Sequence, residues 1–366
     1  MYSRVYHQHP CRKGHPSSYV ASLMPSFLCK GIYTTCQEKL SMRTSIIILA
    51  ALLFFAASFL GGCQTTAVTP DDSSSTEPVN LRMALIPVLD ALPIHLAQSQ
   101  GLFEKQGITV TIIPVKSAPE RDQLMSSNQA DGMVNEVLST IFFNRESVRV
   151  QTVRYAQTAT AEAALFRILS AKNSGISSVD GLKGAGIGIG EGTVIEYLTD
   201  RLLEAEGFAE EEINTVAVPD ITTRMSLLNS GELQAAMLPE PLSSLVVAQG
   251  ASVALDDTSH PEFSFSTISF RKEVIDDHPE AIRAFLAAVE EAVVMINHDP
   301  AALKDLLVEL SLIPVPIQET FVPNQFVTAG VPTEEQWDDV LEWAKEKGLV
   351  STDVAYSESV TNEYLP

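Results

Sequence analysis

The segment LRMALIPVLDALPIHLAQSQGLFEKQGITVTIIP, residues 81–114, carries the pattern from which the fold class is predicted. Residues 81–88 form an apolar run typical of a β-strand, and residues 108–114 form a second run in which apolar side chains alternate. Residues 93–106 predict a helix between them, because Pro93 suits a first helical turn and Gly107 suits a helix end. A strand, a helix and a strand in this order predict a βαβ unit with two parallel strands.

The same alternation continues along the rest of the chain. Further strands are predicted at residues 131–134, 148–155, 185–189, 214–218, 233–238 and 252–255. Further helices are predicted at residues 136–144, 193–206, 222–230, 242–249, 279–298 and 333–347. Asn135 is expected to cap the first of these helices, and Thr333 with Gln336 has the spacing of a capping box. This order predicts the α/β class, with mixed sheets flanked by helices.

Residues 42–63 have the pattern of an export signal. Arg43 precedes the apolar run IIILAALLFFAASFL, residues 46–60, which ends in the small residues Gly61 and Gly62 before Cys63. A short basic region, an apolar run of this length and small residues at its end are typical of a secretory signal peptide. The sequence LGGC is similar to the lipobox of bacterial lipoproteins, which implies cleavage before Cys63 and a lipid on its sulfur. The alternative is an uncleaved anchor helix with an incidental cysteine.

The signal also divides the N-terminal part of the chain. Residues 1–41 precede a complete signal, so we expect them to be a mis-called upstream segment, with Met42 as the initiator. Residues 63–80, the predicted lipid-bearing cysteine followed by a stretch rich in Ser, Thr and Pro, are expected to form a flexible tether. The rest of the chain would then lie in the cell envelope, anchored by lipid to the extracytoplasmic face of a membrane.

Composition excludes several classes of function. Cys63 is the last of the four cysteines, so the expected folded part has neither disulfides nor cysteine nucleophiles. The formal net charge is −22 at pH 7, which argues against nucleic-acid binding. The histidines that follow the signal, His95, His260, His278 and His298, have no pairwise metal spacing, so we expect neither a metal nor a cofactor.

Several motifs together resemble one family. The segments GLFEKQGI (residues 101–108), ISSVDGLKGAGIGIGEGTVIEYLTDRLLEAEGF (176–208), LLNSGELQAAMLPEPL (227–242) and HPEAIRAFLAA (278–288) follow in the expected order. They are similar to the substrate-binding proteins of ABC importers, in the NMT1/THI5-like group that serves nitrate, taurine, alkanesulfonates and thiamine-pyrimidine precursors.

The resemblance implies a two-lobe, periplasmic-binding-protein-like fold of type II. Two crossover segments, at residues 164–171 and 264–271, would join a first lobe (81–167 plus 268–366) to a second (168–267). The protein would hold a small molecule between the lobes and pass it to an ABC permease and ATPase. We expect a monomer.

Ligands in open α/β sheets bind at the carboxyl ends of the strands, and this rule selects the candidate site. The selected residues are Leu89, Asp90, Ala91, Ser117, Asn135, Glu136, Gly190, Gly192, Thr193, Asp220, Glu240 and Pro241. The loop from Gly190 to Thr193 opens a helix and could receive an anion at the helix N-terminus. Alternatively, its glycines make a tight turn and Thr193 is only an N-cap.

Charged residues near the predicted site bear on the ligand class. If Glu136 and Glu240 face inward, a small anion is disfavoured, and a heterocyclic or amine-bearing ligand is slightly favoured. Arg154 and Arg224 are the nearest candidates for an anion clamp, although both are expected to be surface partners of acidic residues. Tyr155, Tyr197 and Phe263 could stack on a planar ligand, or could belong to the core.

Two other functions use the same lobes. An exported sensor could present its ligand to a membrane receptor. An enzyme is the other alternative, because the resemblance extends to a fungal pyrimidine synthase that depends on a cysteine cluster. The lack of cysteine after Cys63 and the export signal argue against the enzyme.

Overall fold

The structure is a computed structural model that describes residues 77–366; the predicted signal, Cys63 and all but the end of the predicted tether lie outside this range. Its strands are β1 (Val79–Leu85), β2 (Ile108–Pro114), β3 (Gly132–Asn135), β4 (Val150–Thr158), β5 (Phe166–Ser170), β6 (Gly186–Ile189), β7 (Asn214–Ala217), β8 (Ala235–Pro239), β9 (Ser252–Asp256) and β10 (Phe265–Arg271). Its helices are α1 (Leu92–Ser99), α2 (Leu102–Lys105), α3 (Ala118–Ser126), α4 (Val137–Asn144), α5 (Val194–Ala205), α6 (Ile221–Ser230), α7 (Leu242–Ala248), α8 (Lys272–Asp277), α9 (Pro279–His298), α10 (Lys304–Glu309), α11 (Glu334–Glu346) and α12 (Tyr356–Ser359).

The strands form two mixed five-stranded sheets. The first lobe is built on the order β2-β1-β3-β10-β4, with β1 parallel to β2 and β3, and with β10 antiparallel to β3 and β4. The second lobe is built on β7-β6-β8-β5-β9, with β6 parallel to β7 and β8, and with β5 antiparallel to β8 and β9. The predicted α/β class with two mixed, helix-flanked sheets is confirmed.

The chain changes sheets twice. It leaves the first sheet after β4 and returns with β10, so the connections are residues 159–165 and 257–264. These connections lie a few residues before the predicted crossovers. The reason is that β5 is a strand of the second sheet and β10 a strand of the first, so neither strand is a link between the sheets. Asp257 ties the two connections together: its carboxylate accepts the N–H of Leu165 at 3.0 Å and of Phe166 at 2.9 Å.

The first βαβ unit differs from the prediction in its helix. Residues 93–106 form two helices, α1 and α2, instead of one. Gly101 separates them with a φ of +64°, a left-handed conformation that favours glycine and ends a helix. Asn135 is not a cap: it is the last residue of β3, and Glu136 is the N-cap of α4. The Asn135 side chain is buried, where it donates to Thr140 Oγ1 and accepts from Thr267 Oγ1, each at 2.9 Å.

The core of the first lobe is centred on α9. Ile282, Phe285, Leu286, Val289 and Val293 recur at helical spacing and are fully buried, as the amphipathic pattern predicts. The ring of Phe285 stacks on Phe103 with centroids 5.1 Å apart, which joins α9 to α2.

The C-terminal helix α11 contacts both lobes. Its predicted capping box is present, with Gln336 N–H donating to Thr333 Oγ1 at 3.2 Å. The helix packs against α4 of the first lobe. Trp343 Nε1 also donates to Asp200 of α5 at 2.9 Å, and Tyr197 of α5 donates to Asp339 at 2.5 Å. A segment assigned to the first lobe from the sequence therefore also packs on the second. Among the helices of residues 77–366, none is long and apolar enough to cross a membrane.

Candidate ligand-binding cleft

A cleft lies where the two sheets present the carboxyl ends of their parallel strands. It encloses about 760 Å³ of atom-free space, part of which is open to solvent. Residues of both lobes line it: Ile86, Val88, Asp90, Ala118, Pro119, Arg121, Val134, Asn135, Glu136, Phe265 and Ser266 from the first, and Phe166, Gly190, Thr193, Val194, Ile195, Pro219, Ile221, Arg224 and Pro239 from the second. The walls are mostly apolar, with a few polar groups among them.

On the first lobe, the polar wall is already paired. Arg121 and Glu136 form a bidentate ion pair with distances of 2.9 and 3.0 Å, and Arg121 Nε lies 2.8 Å from Asp122. Arg121 is buried, and its donors are directed at these carboxylates, which raise its pKa despite the opposing effect of burial. Arg121 is therefore not available to bind an anion, and Glu136 is not an unpaired charge.

Asp90 and Ser266 form a second polar group on the same wall. Burial raises the pKa of the Asp90 carboxyl, the nearby Ser266 hydroxyl opposes the rise, and the charge of Glu136 adds to it. Ser266 is 6% exposed, and its Oγ has no hydrogen-bond partner of good geometry among the described residues. The hydroxyl and the carboxyl lie close enough to interact, and either can exchange a hydrogen bond with a polar group of a ligand.

On the second lobe, the polar wall is a single guanidinium. Arg224 is 1% exposed, and only its Nη1 has a partner, the carbonyl oxygen of Val218 at 2.9 Å. Its Nε and Nη2 have no hydrogen-bond partner, and no carboxylate of the described residues lies within ion-pair distance. Burial lowers the pKa of Arg224 to about 10, although the charge of Asp220 opposes the change.

The loop before α5 lies directly against this guanidinium. A Cβ on Gly190 would be 3.5 Å from Arg224 Nη1 and 3.0 Å from Thr193 Oγ1, so the loop approaches closely because residue 190 has no side chain. Thr193 donates to the Gly190 carbonyl at 2.6 Å and accepts the N–H of Ile195 at 3.2 Å. Thr193 is thus the N-cap of α5, and it also lines the cleft.

The structure brings five of the twelve predicted ligand-contact residues to the cleft: Asp90, Asn135, Glu136, Gly190 and Thr193. The other seven lie outside its lining. Leu89 and Ala91 are buried in the core, and Ser117 and Asp220 cap α3 and α6 while their neighbours line the cleft. Gly192 donates to Glu196 at 2.7 Å, Pro241 is the N-cap of α7, and Glu240 pairs with Arg167 and accepts from Ser243 at 2.7 Å.

Two expectations about charged residues are corrected. Arg154 and Arg224 are both buried rather than surface partners of acids. Arg154 donates to Glu290 at 2.6 Å and to the Val327 carbonyl at 3.0 Å, which fastens a C-terminal loop to β4. Arg224 and Leu228, the buried residues of α6, are four residues apart, so helical spacing places them on the same face of the helix.

The three aromatic residues named from the sequence follow the alternative that they belong to the core rather than to the cleft. Tyr155, Tyr197 and Phe263 are not part of its lining, and Tyr197 belongs to the core. The rings at the cleft are Phe166 and Phe265, at the starts of the strands that follow the two sheet changes. Among residues 77–366 there is no group of three or more His, Cys, Asp and Glu that could hold a metal ion.

Comparison with known sequences gives weak but extended similarity. A binding protein of Brucella abortus is 24% identical over 204 residues, 54% of this chain, and the match spans only 60% of that relative's length. A Bacillus subtilis protein named as an aliphatic sulfonates-binding protein is 23% identical over 272 residues, 72% of this chain and 79% of its own. A 4-amino-5-hydroxymethyl-2-methylpyrimidine phosphate synthase of Schizosaccharomyces pombe is 23% identical over 295 residues, 75% of this chain and 82% of its own.

Solved structures share the fold. The alkanesulfonate-binding protein SsuA of Xanthomonas axonopodis superimposes with a TM-score of 0.67 at 15% identity, over 78% of this chain and 99% of that one. The nitrate-binding protein NrtA of Synechocystis gives a TM-score of 0.61 at 15% identity, over 79% of this chain and 87% of that one. The family model described as NMT1/THI5 like matches residues 89–302, more than half of the chain. The chain therefore belongs to the NMT1/THI5-like family and has the fold of periplasmic binding proteins.

Proposed function

We propose that this protein is an extracytoplasmic solute-binding protein that captures a small organic molecule between its two lobes. The observation that carries the proposal is the cleft: both lobes line it, its walls are mostly apolar, and Arg224 keeps two buried donors without partners among the described residues. A small number of polar groups that converge in an otherwise apolar cleft is typical of a ligand site. The relatives named as binding proteins support the same conclusion.

Capture would couple to closure of the lobes. A ligand that contacts Arg224 on one side and Ser266 on the other gains both sets of contacts only when the lobes are close. A ligand shifts a conformational equilibrium by its difference in affinity for the two states, so such a ligand favours the closed state. The closed form would then be recognised by an ABC permease with its ATPase.

We also propose that the protein is tethered to a membrane through a lipid on Cys63. The lipobox-like LGGC sequence and the polar stretch that follows it support this arrangement. A strongly acidic chain is repelled by anionic headgroups, so a covalent lipid would provide the attachment that electrostatics does not.

Binding without turnover is the activity that we favour over catalysis. Residues 64–366 contain no cysteine, so the cleft has no thiol nucleophile. Its acidic side chains are either paired, as Glu136 is with Arg121, or placed beside a hydroxyl, as Asp90 is with Ser266. The similarity to the pyrimidine phosphate synthase makes catalysis the alternative, and release of a bound compound in altered form would favour that alternative.

Native mass spectrometry tests the proposal. The full chain, purified in mild detergent, is incubated with a cell extract, desalted and measured before and after denaturing release. We expect one small-molecule adduct per chain in the wild type. Val194→Trp, which fills the cleft, should lose the adduct, while Val247→Trp on α7, outside the cleft and 39% exposed, should keep it. An adduct that survives Val194→Trp, or a wild-type chain that stays empty, would overturn the proposal.

A further inference from the structure

We propose that α11 is a clasp: it holds together the two helices that begin on facing walls of the cleft, and so sets the separation of those walls before a ligand binds. Asp200 of α5, with Trp343 and Lys347 of the C-terminal segment, fastens the clasp. These three are positioning residues, since none of them lines the cleft. The consequence for capture rests on the proposed function, whereas the separation of the walls is a property of the chain alone.

One helix of each lobe begins at the cleft. Glu136, the N-cap of α4, lines the wall of the first lobe, and Thr193, the N-cap of α5, lines the wall of the second. A smaller cavity, with about 210 Å³ of atom-free space, is lined by residues of the first turns of both helices together with Val340 of α11. The helix α11 therefore lies against α4 and α5 close to the points where they reach the cleft.

The C-terminal segment is fixed to the first lobe. The helix α11 packs on α4, and the buried faces of the two helices belong to one apolar cluster. Beyond α11, Val360 pairs with Thr152 of β4, and Ser359 accepts a hydrogen bond from Asn144, the last residue of α4, at 3.0 Å. Movement of α11 relative to the first lobe would break these contacts, so we expect the two to move as one body.

A buried carboxylate fastens α11 to the second lobe. Asp200 is 1% exposed, accepts the indole N–H of Trp343 at 2.9 Å and lies 2.9 Å from the Lys347 ammonium. Both of these partners come from the C-terminal segment. Separation of α5 from α11 would take both partners from Asp200, and loss of a partner is costly for a buried charge. The contact therefore resists movement of the second wall away from the first.

A clasp at this position makes capture less costly. When only a fraction of the chains has the competent separation of the walls, the apparent Kd rises as that fraction falls. Because α11 holds both walls, a larger fraction of the empty chains is ready to bind. Loosening the contact at Asp200 should therefore weaken capture although no residue of the cleft has changed.

The distance between two spin labels tests the clasp without a ligand. The full chain is kept in mild detergent, and its four native cysteines are replaced by serine. Labels are attached through Gln123→Cys on α3 and Ser226→Cys on α6, exposed positions on helices that line opposite walls. Lys347→Glu then places a carboxylate against Asp200 in place of the ammonium. We expect a longer mean distance between the labels and a wider distribution than in the wild type.

A charge reversal on the same helix is the matched control. Lys345 pairs with Asp353 inside the C-terminal segment, so Lys345→Glu should keep the wild-type distance. Asp200→Asn in the Lys347→Glu chain removes the repulsion and keeps an oxygen to accept from Trp343, so this second change should restore the wild-type distribution. Thermal unfolding of each variant, measured in parallel, separates loss of folding from opening of the lobes.

Release of the adduct measures the consequence for capture. After exposure to cell extract, Lys347→Glu should lose its adduct on dialysis about 10-fold faster than the wild type or Lys345→Glu, since a charge-assisted hydrogen bond contributes about that factor. An unchanged distance in folded Lys347→Glu, or equal widening in Lys345→Glu, would overturn the clasp. Widening in Lys347→Glu alone, in chains that take up no adduct, would support the clasp and overturn the proposed capture of a solute.

Discussion

Replacement of Arg224 by methionine should make the ligand-free protein more stable while it weakens capture. The guanidinium is 1% exposed, has one hydrogen bond, and lies within ion-pair distance of no carboxylate of the described residues. A methionine side chain of similar length can fill the same space without a charge. The buried cation is therefore a cost to the empty protein that only a ligand would offset.

The size of the effect follows from two contributions. The fall of the Arg224 pKa from its ordinary value to about 10 corresponds to a cost of about 3 kcal/mol for the buried charge. The folded chain binds the Arg224 proton more weakly than the unfolded chain does. Since pH 7 is below the Arg224 pKa in both the folded and the unfolded state, the full cost of burying the charge is present at that pH. Loss of the bond to the Val218 carbonyl removes about 1 kcal/mol. Arg224→Met should therefore stabilise the empty protein by about 2 kcal/mol and raise its Tm by roughly 4 °C.

Thermal and urea unfolding of ligand-free protein measures this difference, with bound ligand first removed by unfolding and refolding. Arg201→Met is the control, because Arg201 is paired with Glu204 at 2.9 Å and with Asp339 at 3.3 Å. That control should lose up to about 1 kcal/mol. If the Tm of Arg224→Met instead falls by several degrees, the guanidinium stabilises the empty protein, and the expected cost of its burial is wrong.

Three further predictions concern the anchor, the sheet connections and the core. Cys63→Ser protein should move from the membrane to the soluble fraction in cell fractionation, and continued membrane association would contradict the lipid anchor. Burial raises the pKa of Asp257 to about 6, so the folded state holds this proton more tightly than the unfolded chain. Its contribution to stability should then fall by about 3 kcal/mol as the pH rises from about 4 to 6, and urea unfolding of Asp257→Asn should lack that decline. Gly132→Ala should destabilise by about 1–3 kcal/mol, because its Cβ would lie 2.6 Å from the ring of Phe270. Gly330→Ala, with its nearest contact at 3.4 Å, is the matched control, and equal Tm values for the two variants would disprove the packing argument.

The fold could be predicted from local patterns because strands and helices are encoded by periodicity within short windows. The strand at 108–114 and the helix at 279–298 were predicted with the bounds that the structure has. The break between α1 and α2 was missed because Gly101 is compatible with a helix in sequence and becomes a helix end only through its left-handed backbone. The position of the sheet changes was also missed, because strand pairing decides to which sheet β5 and β10 belong.

The candidate site could be predicted only in part, for a related reason. The strand-end rule found the loops that reach the cleft, and it selected Asp90, Asn135, Glu136, Gly190 and Thr193 among the lining residues. It could not show that Glu136 is paired with Arg121, or that Glu240 faces Arg167 instead of the cleft. Those pairings removed the reason to disfavour an anionic group.

The two-lobe class was implied by the resemblance to a known family, whereas the alternating α/β elements, the absence of thiols after Cys63 and the loops that could meet a ligand follow from the sequence alone. These features depend on composition and on neighbours close along the chain. Three features became visible only in the folded chain: which charged groups lack partners among the described residues, the aromatic walls formed by Phe166 and Phe265, and the packing of α11 on both lobes. The physical reason is that desolvation and pairing act between residues distant in sequence, as between Trp343 and Asp200, so a side chain's charge environment is known only once the chain has folded.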